Sequence, residues 1–316
     1  MAERKLAAVF GGSGFLGRYV VKRLAAQGYT VRVAVRSTES AKILRPMGDP
    51  GQIVPLYAPL HEEALVARAT EGAELVVNLA GILAERRKGD FQRTHAEGAG
   101  RIARLAASSV ARHLIHVSAI GADPNSASLY ARSKAAGEAA VRAAFPRAVI
   151  LRPSILFGAE DAFFNRFASL AAISPVIPIV GGETKFQPAY VGDVADAALA
   201  SLTPQAAGNV FELGGEEVRT FRQLIEYMLE IIERKRPVID LPLGLAKFEA
   251  FFLERLPGKL LTNDQIRLLQ RDNVVALGAL NFSNLGITPS RMELMLPAYL
   301  ARYRPSGQRR SAVYRE

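Results

Sequence analysis

Short apolar runs alternate with amphipathic stretches through the first half of the chain, and this alternation predicts strands and helices in turn. Leu6-Ala7-Ala8-Val9-Phe10 is an apolar run of strand type, and Arg18 to Ala26 sets apolar residues at helical spacing. Thr30 to Val35 reads as the second strand, entered through the turn Gln27-Gly28-Tyr29. Ile53 to Leu60 is a third strand with its loop, and Glu63 to Thr70 a short helix. Glu74 to Gly81 reads as a buried parallel strand that runs into a turn of small residues. Gly98 to Ser109 is helical, His113 to Ser118 is the next strand, and a helix bearing Tyr130 and Lys134 continues through Ala143. Strands and helices alternating at this length predict an α/β fold, a Rossmann-type doubly wound parallel sheet with right-handed crossovers.

After Ala148-Val149-Ile150-Leu151 the rhythm breaks at Arg152-Pro153-Ser154-Ile155-Leu156-Phe157-Gly158, and Phe163, Phe164, Phe167, Pro175 and Pro178 follow. Gln187 to Ala200 contains a second strand-to-helix junction at Tyr190-Val191-Gly192-Asp193-Val194, where Asp193 is expected to cap the helix. Phe221 to Glu233 and Leu245 to Leu256 read as further helices. The expected organisation is a nucleotide-binding domain over 1–150, rejoined by about 187–213, with a smaller lobe from 151–186 and 214–300. That lobe is expected over the carboxyl ends of the strands, where open α/β sheets bind ligands. Residues 301–316 form a tail with Arg302, Arg304, Arg309, Arg310 and Arg315.

The candidate chemistry starts at Gly11-Gly12-Ser13-Gly14-Phe15-Leu16-Gly17, between the first strand and the first helix. In that context Gly11 permits a tight turn, Gly14 lets the backbone approach a pyrophosphate, and Gly17 lets helix and strand pack closely. The unpaired N–H groups and the dipole at the helix start favour an anion. At the end of the second strand, where an acid would hold a ribose hydroxyl, stand Arg36 and Ser37. A guanidinium suits a 2′-phosphate, which favours NADPH over NADH. Tyr130 and Lys134 are one helical turn apart on one face. An ammonium beside a phenol favours the phenolate, a proton donor and acceptor for a carbonyl or alcohol while a nicotinamide exchanges hydride.

Composition narrows the field. The 316 residues are 49% apolar and 22% charged, as in soluble globular proteins. No apolar run is long enough to span a bilayer, and no leader-like segment precedes the first strand, so the chain is expected to stay where it is made. With zero Cys there is no disulfide, thiolate nucleophile or Cys metal site, and the four His (His61, His95, His113, His116) show no ligand spacing, so no metal is expected. The net charge of +10 suits nucleotide phosphate, anionic lipid head groups or another subunit. No recognition motif supports nucleic acid.

The glycine turn, Asn78-Leu79-Ala80-Gly81 and Tyr130 to Lys134, in that order, resemble the short-chain dehydrogenase/reductase superfamily in its extended or atypical branch. The resemblance implies a bound nicotinamide dinucleotide touching Leu79, Ala80, Gly81, Val117 and Ser118, with Arg152-Pro153-Ser154 as the strand end beside the nicotinamide and Pro153, Ser154 and Ile155 in contact with it. His116 to Asp123, Tyr130 to Glu138, Ile155 to Asp161, Phe186 to Val194 and Leu261 to Gln265 further resemble the NAD(P)H-binding accessory subunits of respiratory complex I, in their bacterial form. Such a subunit holds NADPH and stabilises the complex near the quinone-binding junction. It is peripheral, on the cytoplasmic or matrix side, and has no established turnover. Leu243, Leu245, Phe248, Phe251 and Phe252, with Lys247, Arg255 and Lys259 nearby, then face another subunit or a membrane surface, or simply close the lobe. Two departures from the active pattern stand out. Active relatives place a Ser or Thr hydroxyl where Ala119 stands, which leaves Ser118 as the candidate, and Ala58-Pro59-Leu60 offers no Asp to an adenine. The alternative is an active NADPH-dependent reductase or epimerase of a small carbonyl, sugar nucleotide or quinone.

Overall fold

The computed structural model describes residues 5–241 and 262–305. The helix expected over 245–256 and Arg309, Arg310 and Arg315 lie outside the described residues. The chain divides into two compact units. The first comprises Met1–Ser154, Val191–Gly214 and Val275–Thr288; the second comprises Ile155–Tyr190, Gly215–Val274 and Pro289–Glu316.

The first unit is built on β1 (Leu6–Phe10), β2 (Thr30–Val35), β3 (Ile53–Tyr57), β4 (Leu75–Asn78), β5 (His113–Val117), β6 (Val149–Pro153) and an edge strand, Val210–Leu213. All neighbours pair parallel, in the order edge–β6–β5–β4–β1–β2–β3. From β1 the chain winds outward through β2 and β3, then returns to place β4 on the other side of β1. This reversal creates the crevice at which doubly wound sheets take their ligands. The strands are apolar because helices cover both faces: every residue of β4 is buried. On one face α2 (Glu63–Thr70), α3 (Gly98–Ala107) and α4 (Leu129–Ala144) enclose a core that includes Phe10, Val66, Ile102, Leu114 and Val141. On the other, α1 (Phe15–Ala26) packs beside a helix at Val191–Ala200, joined to it by an Arg23–Asp196 pair.

Three features depart from expectation. Asp193 is the third residue of its helix, in the first turn and buried, rather than the flanking cap; there its charge still complements the helix dipole. Residues 275–288 return to the first unit, although the sequence grouped them with the small lobe. Glu212 holds them, its N–H donating to the Leu280 carbonyl (2.8 Å) and its carboxylate accepting from the Ala276 N–H (2.9 Å). Ahead of α3, Gln92–Glu97 forms a π-helical turn that the apolar spacing did not predict.

The second unit is organised by α5 (Phe164–Ile173), a helix at Phe221–Ile231 and another at Met292–Leu300, around Phe157, Phe164, Phe221, Met228 and Leu296. Thr220 and Gln223 form a capping box that starts the second of these helices. The first two arginines of the expected tail are structural. Arg302 donates to Asn165 Oδ1, and Arg304 Nε donates to the Ile231 carbonyl (3.0 Å).

Candidate functional site

The carboxyl ends of β1, β2, β4, β5 and β6 share one edge of the parallel sheet, and almost every predicted site residue follows one of them. After β1 the glycine turn folds as a cradle. Gly11 has φ +79°, and a Cβ there would lie 2.9 Å from the Leu79 carbonyl carbon. The glycine turn and the turn after β4 therefore touch, backbone to backbone, at the reversal point. Gly14 donates its N–H to the Gly11 carbonyl (3.0 Å), and a Cβ on Gly17 would lie 2.3 Å from that same oxygen. α1 starts at Phe15 without a side-chain cap and without an acid in its first turn, which leaves its N-terminal N–H groups and dipole suited to an anion. Gly12 is buried, Leu16 lies in the core, and Ser13 and Phe15 are half-buried beside the turn.

Arg36 and Ser37 follow β2 directly, and both are exposed. Ser37 and Ser40 bond to each other, closing a turn that holds Arg36 at the strand end. After β4, Asn78 is buried and its Oδ1 accepts the Ala80 N–H (3.1 Å), which curls Leu79-Ala80-Gly81 back over the strand. Since that oxygen is the acceptor, the Asn78 amide nitrogen donates to His116 Nδ1 (3.1 Å), and His116 carries its proton on Nε2. Neither His116 Nε2 nor Ser118 Oγ has a hydrogen-bond partner among the described residues, although both are buried. Buried polar atoms of this kind call for a further group in the site.

Tyr130 and Lys134 lie on α4, which Ser128 caps by accepting the Ala131 N–H (3.2 Å). Lys134 is buried and its Nζ donates to the Val117 carbonyl (2.9 Å) at the end of β5. Burial draws its ammonium down to about 8, against the opposing influence of Glu138. The expected depression of the Tyr130 phenol is overturned: burial pushes it up to about 12. The physical reason is that desolvation of the phenolate dominates, while the ammonium is aimed at a β5 carbonyl. β5 and β6 end near this point at Val117 and Pro153, with Ser118 N–H on the Leu151 carbonyl (2.7 Å), Ser154 N–H on the Leu213 carbonyl (2.9 Å), and Ala119 half-buried next in line. Ile155 begins the second unit. Arg152, expected beside the nicotinamide, instead ties β6 to α4, with a bidentate pair to Glu138 (2.8 and 2.6 Å) and a longer contact to Glu212.

A model of the NAD dependent epimerase/dehydratase family matches residues 7–214. The chain belongs to that family. Its curated relatives include the Arabidopsis thaliana protein named NADH dehydrogenase (ubiquinone) 1 alpha subcomplex subunit 9, mitochondrial. That protein is 36% identical, over 96% of this chain and 79% of the relative. They also include a Caulobacter vibrioides protein named ceramide reductase, 32% identical over 76% of this chain and 74% of the relative. Among solved structures, UDP-glucose 4-epimerase from Thermotoga maritima superposes with a TM-score of 0.70 at 18% identity, covering 94% of this chain and 98% of its own; that likeness shows the fold. As in the epimerase/dehydratase family at large, the glycine cradle and the open start of α1 fit an NAD(P) pyrophosphate.

In the sequence His95 is one of four histidines without ligand spacing, and the structure puts it inside the site. It is buried, stacks on Phe91 and meets Tyr130 edge-on. A signal was present: Phe91, His95, Ala99, Ile102 and Ala106 continue one buried helical face, with a histidine in an otherwise apolar row.

Proposed function

We propose that this protein is an accessory subunit of respiratory complex I that carries a resident NADPH. It stabilises the assembled complex near the quinone-binding junction and does so without redox turnover. In a bacterium it lies on the cytoplasmic side of the inner membrane, as a peripheral subunit; no helix among the described residues is long and apolar enough to cross a bilayer. The observation that carries this reading is the relative named as a complex I subunit, matched over 96% of this chain at 36% identity, where the named reductase covers 76%. The site supports it. Gly11 to Gly17 hold the pyrophosphate, Arg36 and Ser37 the 2′-phosphate, and Leu79 to Gly81, Val117, Ser118, Lys134 and Pro153 to Ile155 the nicotinamide half. A bound nicotinamide supplies hydride chemistry, but this chain is poorly equipped to use it. Ala119 offers a methyl where active relatives offer a hydroxyl, and Tyr130 is held as a neutral phenol. Anionic lipid head groups are a further partner suited to the +10 charge.

The test is to purify complex I from the source organism under gentle solubilisation. This chain and one equivalent of NADPH should co-migrate with the intact complex, and deletion of its gene should leave sub-complexes on a native gel. Absence of the chain from the intact complex would sink the reading. Oxidation of the bound cofactor by a carbonyl or quinone, abolished in Tyr130→Phe, would favour the reductase instead. For cofactor choice, Arg36→Glu should weaken NADPH binding about a hundredfold, a loss of about 2.7 kcal/mol, and NADH binding by less than threefold. Equal losses measured by fluorescence titration would remove Arg36 from the 2′-phosphate.

A further inference from the structure

His95 has no part in the cofactor contacts assigned above, yet its hydrogen bonds join two of the segments that make them. Its Nε2 lies 3.0 Å from the Ile82 N–H, which can only donate, so Nε2 is the acceptor and the ring proton is on Nδ1. Nδ1 lies 2.8 Å from Ser133 Oγ, and that hydroxyl donates onward to the Tyr130 carbonyl (2.7 Å). The chain of donors is consistent in one direction only: imidazole to serine, serine to the first turn of α4. One neutral ring thus ties the turn after β4 to the helix that carries Tyr130 and Lys134. A Cβ on Gly81 would lie 3.6 Å from His95 Nε2 and 4.0 Å from Lys134 Nζ, so Gly81 rests directly over both groups.

The backbone is built to hold the ring there. His95 lies in the π-helical turn Gln92–Glu97, where one extra residue per turn rotates a side chain out of the regular helical register. α4 presses against that turn: a Cβ on Gly137 would lie 2.1 Å from the His95 carbonyl oxygen, so only glycine fits. Phe91 stacks on one side of the ring with centroids 5.4 Å apart, and Tyr130 meets it at 90°. Burial and the charge of Lys134 keep the imidazole neutral, with its pKa drawn down to about 3.

We propose that His95 is the positioning residue of the nicotinamide half of the site, a neutral clamp that sets Leu79-Ala80-Gly81 over Lys134. The inference rests on the resident-cofactor reading for its consequence, and on hydrogen bonds of this chain for its substance. With His95 in place the turn is held at one height above the ammonium. Without it, Ile82 loses its acceptor and Ser133 loses its donor, so the nicotinamide ribose meets a turn that no longer faces Lys134.

The experiment compares wild type with His95→Ala, His95→Gln, Ser133→Ala and the His95→Ala/Ser133→Ala double variant, as full-length purified protein. Two readouts are taken: the NADPH dissociation rate by fluorescence, and amide hydrogen exchange at Ile82. The glutamine amide supplies an acceptor oxygen for the Ile82 N–H and a donor NH2 for the Ser133 hydroxyl. His95→Ala should speed NADPH release at least tenfold and unprotect Ile82, and His95→Gln should restore both to within threefold. The double variant should release no faster than His95→Ala, since one connection is broken either way. Additive effects, or failure of glutamine to restore Ile82 protection in a folded variant, would overturn the clamp. If wild type holds no NADPH, the resident-cofactor reading fails and the clamp stands or falls on Ile82 exchange across the same variants.

Discussion

Gly17→Ala should lose NADPH and much of its stability together. The added Cβ would lie 2.3 Å from the Gly11 carbonyl oxygen and 2.6 Å from both Cα and the carbonyl carbon of Gly12. All of these are backbone atoms, so no side chain can turn aside, and α1 must move off the glycine turn. Overpacking costs about 1–3 kcal/mol, and a clash with backbone that cannot turn aside places this variant near the upper end, about 3 kcal/mol. The same movement carries the N-terminal N–H groups of α1 away from the pyrophosphate position, so retention should fall at least about tenfold, or roughly 1.4 kcal/mol. Gly28→Ala is the control. Gly28 has φ +82° with nothing within 4 Å of an added methyl group, so that variant should lose only about 1 kcal/mol of backbone strain and no nucleotide. Thermal unfolding and the NADPH content of the purified variants check both. Full retention in Gly17→Ala would mean that the glycine turn is not the cofactor cradle.

The second large effect is acid destabilisation well above the carboxylate range. His95 and His116 are buried and neutral, with pKa values lowered by burial and by the charge of Lys134, to about 3 for His95 and well below the usual value for His116. In the unfolded chain each takes a proton near pH 6.5. The unfolded state therefore binds more protons than the native state below that pH, and stability falls as pH falls from about 6.5 toward 3. At pH 5 His95 should have withdrawn about 2 kcal/mol relative to pH 7.5, and His116 adds to the loss in the same direction. His113 is half-buried and shifts in the same direction, so it adds a smaller share. Urea unfolding at pH 7.5, 6.5, 5.8 and 5 measures the slope, which His95→Gln should reduce by the His95 share of about 2 kcal/mol at pH 5. A flat profile over this range would show that the two rings are protonated in the native state.

The parallel sheet was legible because strands buried on both faces read as near-continuous apolar runs, and Leu6 to Phe10 and Leu75 to Val77 show this without further context. The glycine turn was legible for a local reason: its requirement for φ +79° at Gly11 and for close approach at Gly17 acts within seven residues of chain. The Tyr130–Lys134 spacing was legible too, but the chemistry attached to it was not. Whether an ammonium lowers a phenol depends on where Nζ points, and the Val117 carbonyl on β5 takes it. Arg152 followed the same course. As a strand-end arginine it read as part of the site, and Glu138 on α4 with Glu212 on the edge strand claims it. The helical row marks His95 as buried but not what it bonds, because its partners Ile82 and Ser133 are 13 and 38 residues away.

By itself, then, the sequence determined what short-range sterics and burial patterns control: the strands, the glycine cradle and the arginine at the end of β2. Only the tertiary structure decided which polar groups face one another. It set Lys134 on a β5 carbonyl, raised the Tyr130 phenol, buried His116 and Ser118, and locked His95 between a turn and a helix. The physical reason is that backbone conformation and apolar burial are written in neighbouring residues, whereas desolvation and hydrogen-bond direction depend on groups that only folding brings within about 3 Å.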